Sequence, residues 1–116
     1  MLTGPLDLGG DWQHVAASAV LQSFEQNVTG RYAAGLALTD ATADLQQNQF
    51  TCAPNHDTTG HGQPPVAVCR KTVTQAQCTH TWQVHLFDTG GDARVTRARG
   101  LYDRRCGNEG LLGGPS

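Results

Sequence analysis

Apolar residues along the chain first recur at helical spacing and then switch to strand-like alternation. Trp12, Val15, Ala16, Ala19, Val20 and Phe24 share one stripe, and Gln13, Ser18, Gln22 and Glu25 lie opposite. That periodicity predicts an amphipathic helix over 11–27, with Asp11 as its N-cap. Gly30 and Gly35 bracket a short broken segment. Thr39 then predicts the cap of a second helix ending near Gln47, with Asp40 in its positive first turn. Ala41, Leu45 and Leu38 would face the core.

Beyond Phe50-Thr51-Cys52 the chain becomes extended, and the Pro-, Gly- and Asn-rich residues 53–65 predict a loop. Three strands follow over 66–71, 79–87 and 93–102. The last two are joined by Asp88-Thr89-Gly90-Gly91-Asp92, a longer Gly-containing hairpin turn. On the middle strand Cys78, His80, Trp82, Val84 and Leu86 share one face, and Thr79, Thr81, Gln83 and His85 the other. On the third, Arg97 and Arg99 share parity with Ala93, Val95 and Leu101, while Arg94 alternates with Thr96, Ala98 and Tyr102. Neither face is cleanly apolar, which predicts an edge strand whose charges discourage edge-to-edge pairing. The expected fold is α+β: two helices packed on a three-stranded antiparallel sheet. It forms one domain over 11–106, between a flexible lead (1–10) and a Gly-rich flexible tail (107–116).

The four cysteines, Cys52, Cys69, Cys78 and Cys106, each sit beside a strand-like segment. Four cysteines allow three pairings. A hairpin turning at 88–92 brings the start of the middle strand beside the end of the third, which favours Cys78–Cys106 and leaves Cys52–Cys69. Each bridge is then expected to contribute about 3 kcal/mol through chain entropy. There is no Cys-x-x-Cys, so zinc is disfavoured. Paired cysteines predict an exported protein in an oxidising compartment.

With 116 residues and only 38% hydrophobic, the core should be modest. The formal charge of −2 favours neither nucleic acid nor anionic lipid. Seven of the eight cations nevertheless lie at or after Arg70. No apolar run is long enough to span a bilayer as a helix. Met1 reads as a start placed on a mature sequence, with peripheral membrane association through a lipid anchor upstream as a further expectation.

The pattern Gly35-Leu36-Ala37-Leu38-Thr39-Asp40-Ala41-Thr42-Ala43-Asp44-Leu45 resembles the Thr-capped second helix of the small outer-membrane lipoproteins of the BamE/SmpA family. The strand Thr81-Trp82-Gln83-Val84-His85-Leu86-Phe87-Asp88, with Gly90-Gly91 and a further strand, is similar to that family's closing hairpin. Two features depart from it: the Gly-x-Pro after the second helix is replaced by Gln49-Phe50-Thr51-Cys52, and the first helix is additional. The resemblance implies the fold and a non-catalytic scaffold within an envelope complex.

Catalytic patterns are absent: no Gly-x-Ser-x-Gly, His-Glu-x-x-His or phosphate loop occurs. The acids Asp11, Asp40, Asp88 and Asp92 are accounted for as caps and turn residues. His56, Asp57 and His61 offer three metal-ligand types in one loop, but a polar loop holding two histidines accounts for them as well, and neither metal nor cofactor is expected. The sequence thus predicts a module that docks a protein partner through Thr81, Gln83, His85, Arg94, Arg97 and Arg99. The other reading is an inhibitor or immunity-type protein that blocks a hydrolase through the 53–65 loop.

Overall fold

A computed structural model describes residues 4–55 and 64–106. Two helices, α1 (Ala17–Arg31) and α2 (Leu38–Gln47), precede four strands: β1 (Thr51–Pro54), β2 (Ala67–Gln75), β3 (Cys78–Phe87) and β4 (Arg97–Cys106). The strands form one antiparallel sheet in the order β1-β2-β3-β4. The α+β class and both disulfides stand; the sheet has four strands, not three. The extra strand is β1, whose Cys52 lies directly opposite Cys69 of β2.

One sheet face is covered and the other is open. On the covered face Cys69, Val84, Leu86, Ala98, Trp82 and Tyr102 pack with Val20, Phe24, Val28 and Tyr32, which recur every four residues along α1 and just past its end. Ala41 and Leu45 of α2 complete this core, and Phe50 stacks parallel to Phe24. Helix α1 crosses close over β4 because residue 100 is glycine. A methyl there would stand 3.1 Å from Phe24 Cδ2 and Val28 Cγ2, and 3.2 Å from Glu25 Cα. Gly100→Ala is therefore expected to push α1 off the sheet and cost about 2 kcal/mol, read as a lower urea midpoint.

Helix α1 starts six residues later than its periodicity suggests. Residues 11–16 form a turn, in which the Asp11 carbonyl accepts from the N–H groups of His14 and Val15. Arg104 Nη2 donates to the carbonyls of Trp12 and Val15, at 2.7 and 2.8 Å. Those carbonyls are diverted from helical pairing, and Trp12 is turned edge-on against Trp82 and His80. The lead ahead of this turn is docked over residues 6–9. Leu6 is buried, its N–H reaching Asn48 Oδ1, while the Leu8 carbonyl accepts from Trp82 Nε1 at 2.9 Å.

Helix α2 begins at Leu38, and Thr39 makes no capping bond; Ala37 occupies the N-cap. The backbone fixes this start. Leu38 N donates to the Ala93 carbonyl, Gly35 N to that of Val95, and Val95 N to that of Leu36. Residues 93–95 are thereby drawn away from the sheet, so β4 begins at Arg97 and runs on to Cys106.

The β2–β3 hairpin turns at Ala76-Gln77, both with positive φ (54° and 67°). This two-residue turn suits the strand twist but normally uses Asn-Gly or Asp-Gly. An L-residue in this left-handed region costs about 1 kcal/mol or more. The double variant Ala76→Asn, Gln77→Gly is expected to raise stability by about 1–2 kcal/mol through relief of that strain, as a higher urea midpoint with unchanged slope.

Candidate functional site

Strand alternation sends Arg70, Thr72 and Thr74 of β2 outward, with Thr79, Thr81, Gln83 and His85 of β3 and Arg97, Arg99, Asp103 and Arg105 of β4. Among the described residues no helix covers this outer face. It carries four arginines against one aspartate on a chain of net charge −2, so charge is segregated across the sheet. The cations on the opposite side are engaged internally. Arg31 pairs with Asp44 at 2.7 Å, Lys71 Nζ donates to the Asn48 carbonyl, and Arg104 holds the Trp12–Val15 turn.

The four outer arginines differ in how they are held. Arg105 is paired with Asp103 at 2.9 Å. Arg97 lies over the ring of Phe87, 3.9 Å from its centroid, and covers an aromatic that is 4% exposed on the side away from the core. Arg70 and Arg99 are exposed, and no residue among those described forms an ion pair or hydrogen bond with either guanidinium. Between them stands His85. Arg99 is its direct partner on β4, and Arg70 lies diagonally across on β2, one pair beyond Val68. Burial, then the charges of Arg99 and Arg70, holds the His85 imidazole below its ordinary pKa. Its Nε2 hydrogen-bonds Gln83 Oε1 at 3.1 Å.

Five of the six docking residues read from the sequence, Thr81, Gln83, His85, Arg97 and Arg99, therefore share this face. Arg94 does not. It sits in an isolated bridge with Ala37 and donates to the Gly35 carbonyl. Arg70 also belongs to the face, although it is not among the docking residues read from the sequence. Alternation from Cys69, whose side chain points into the core, would have placed it there.

Beside β1 the outer face continues into an open cavity of about 550 Å³ lined in part by Gln49, Thr51, Asn55, Arg70 and Thr72. A smaller groove of about 350 Å³, largely apolar, lies between α2 and β1. A third cavity, about 240 Å³, adjoins the Cys78–Cys106 bridge and is walled by His14, His80 and Arg104. His80 itself is held structurally. Arg104 Nε donates to the Tyr102 hydroxyl, which hydrogen-bonds His80 Nδ1 at 2.7 Å. Burial followed by the charge of Arg104 lowers the His80 pKa, which favours the neutral imidazole.

Both disulfides join directly opposed residues, Cys52 to Cys69 and Cys78 to Cys106, as the hairpin geometry implied. They indicate an oxidising, extracytoplasmic environment. Among the described residues no group of His, Cys, Asp and Glu is placed to hold a metal ion. His56, Asp57, His61 and most of the 53–65 loop lie outside the described residues. Among those described, no helix is long and apolar enough to cross a membrane. Comparison with protein-family models, with curated proteins and with solved structures finds no match.

Proposed function

We propose that the protein is a non-catalytic interaction module of the bacterial periplasm or outer membrane, docking a protein partner through the outer face of its sheet. One observation carries this reading. The helices and the N-terminal segment all pack on one face, leaving a disulfide-stapled surface with two exposed arginines that form no ion pair among the described residues. Its resemblance to the BamE/SmpA lipoproteins supports placing that partner in an outer-membrane complex, with a lipid anchor as the means of membrane association. No role for nucleic acid or a cofactor is part of the proposal.

The test is site-specific photo-crosslinking in intact envelopes, with the photoreactive residue at Thr81 on the open face or at Ser23 on the exposed side of α1. Crosslinks to a discrete envelope protein from position 81 and none from 23 would support the docking face. The inhibitor reading has its own supporting geometry. The Cys52–Cys69 bridge and the bonds from Asn55 to the carbonyls of Val66 and Pro65 close the base of the 53–65 loop. Replacing 56–63 with a short Gly-Ser linker separates the two. Capture of a soluble hydrolase that requires the native loop would favour an inhibitor over a sheet-face module.

A further inference from the structure

We infer that the row Arg70, His85 and Arg99 is a proton-linked site for an acidic polypeptide segment, which binds more tightly as the pH falls toward 5.5. This rests on the docking reading above and specifies the partner's chemistry and its regulation.

Geometry makes the case. Arg70 and Arg99 stand on the strands either side of His85, two strand spacings apart and two residues out of line, so their backbones are about 12 Å apart. An extended chain advances about 3.3 Å per residue and turns alternate side chains to one face, so carboxylates four residues apart, about 13 Å, match that separation. A single compact anion would instead need donors converging on one point. Arginine presents a planar fork suited to carboxylate. The neutral ground between the cations, from Gln83 with partly buried Val68 and Leu101, and Thr72 and Thr81 beyond it, suits a peptide backbone and its side chains.

The proton linkage follows from what surrounds His85. Arg99 faces it from β4 and Arg70 from β2; Arg97 lies diagonally on β4, drawn onto Phe87. On its own strand Gln83 is the neighbour it contacts. Among the described residues every charged group beside it is positive, and the sole acid of this face, Asp103, is paired with Arg105. In the free protein those charges and partial burial oppose protonation. A bound carboxylate reverses the sign of the local field, so the complex holds more protons than the free protein, and linkage makes binding tighten as pH falls.

The probe is a synthetic decapeptide with Glu at every fourth position, titrated calorimetrically at pH 7.5 and 5.5 at fixed ionic strength. Affinity is expected to rise about threefold or more at the lower pH, with proton uptake seen as a buffer-dependent heat. His85→Gln should still bind but lose the pH dependence. Arg70→Gln with Arg99→Gln should weaken binding about tenfold or more, as expected for two charge-assisted contacts. All three positions are on the open face, and unchanged melting curves would exclude unfolding as the cause. Equal affinity at both pH values, or pH dependence surviving in His85→Gln, overturns the inference. So does equally tight binding of inorganic phosphate or of phosphatidylglycerol vesicles, which would make this a general anion or membrane surface. If position 81 crosslinks its partner while these variants crosslink normally at both pH values, this inference fails and the docking reading stands. If position 81 yields no crosslink, the docking reading itself fails.

Discussion

Replacing Trp82 with alanine is expected to remove about 4 kcal/mol of folding stability, much of what a domain of this size possesses. Trp82 is fully buried at the centre of β3. Its ring meets Trp12 edge-on at 4.8 Å and Tyr102 at 5.3 Å, and its N–H is the donor that fixes the Leu8 carbonyl. Truncation leaves a cavity where the sheet, the N-terminal segment and the 11–16 turn converge, and the flanking strand pairs prevent its collapse. Urea denaturation reads the loss, and proteolysis within residues 4–16 should quicken in parallel. Trp82→Phe separates the contributions. It keeps most of the packing but orphans the Leu8 carbonyl, and should cost only about 1–2 kcal/mol for that bond. An equal loss in both variants would mean that the hydrogen bond, not the ring volume, holds the segment.

Much of this centre was legible in the sequence. The alternation Cys78, His80, Trp82, Val84, Leu86 set the buried face of β3, and the Gly-containing 88–92 turn set the hairpin that brings Cys78 to Cys106. Misreadings arose where a local signal was outvoted by a distant one. Asp11 has the chemistry of an N-cap, yet Arg104, more than ninety residues later, captures the Trp12 carbonyl and ends the helical path. Residues 93–95 alternate like a strand but pair with the segment ahead of α2. Ala76-Gln77 carries no turn signal, so the expected strand ends at Lys71 and leaves Thr72 and Thr74 off the outer face. Strand β1 hides in four residues ending in proline, although the Cys52–Cys69 pairing already implied a neighbour for β2. The docking face emerged in part because alternation on β3 is strict; its β2 contribution depended on a strand length that only the fold supplies.

The same long-range logic governs Asp44, whose replacement by alanine is expected to cost about 3 kcal/mol, the penalty for breaking a largely buried ion pair. The carboxylate is 8% exposed as a residue on α2. It accepts from Arg31 Nε at 2.7 Å, Arg31 Nη2 at 2.8 Å and the Tyr32 hydroxyl at 2.6 Å, tying the end of α1 to the middle of α2. The Arg31 bonds lower its pKa, outweighing the upward push of burial with help from Tyr32. Burial and the Asp44 bond raise the Tyr32 pKa, so that hydroxyl stays a donor. The sign of the pH effect follows. Asp44 is easier to ionise folded than unfolded, so its contribution is fully present above its ordinary value of 3.8 and is lost as pH falls through the lower folded one. The stability gap between wild type and Asp44→Asn should therefore be constant near neutrality and shrink below about pH 4. His80 acts higher. Its folded pKa lies below 6.5, so stability declines as pH drops below 6.5, in both proteins alike. Subtracting the two denaturation series cancels the His80 contribution and isolates Asp44. A gap that instead closed between pH 6.5 and 5 would mean that Asp44 is coupled to histidine protonation rather than to Arg31.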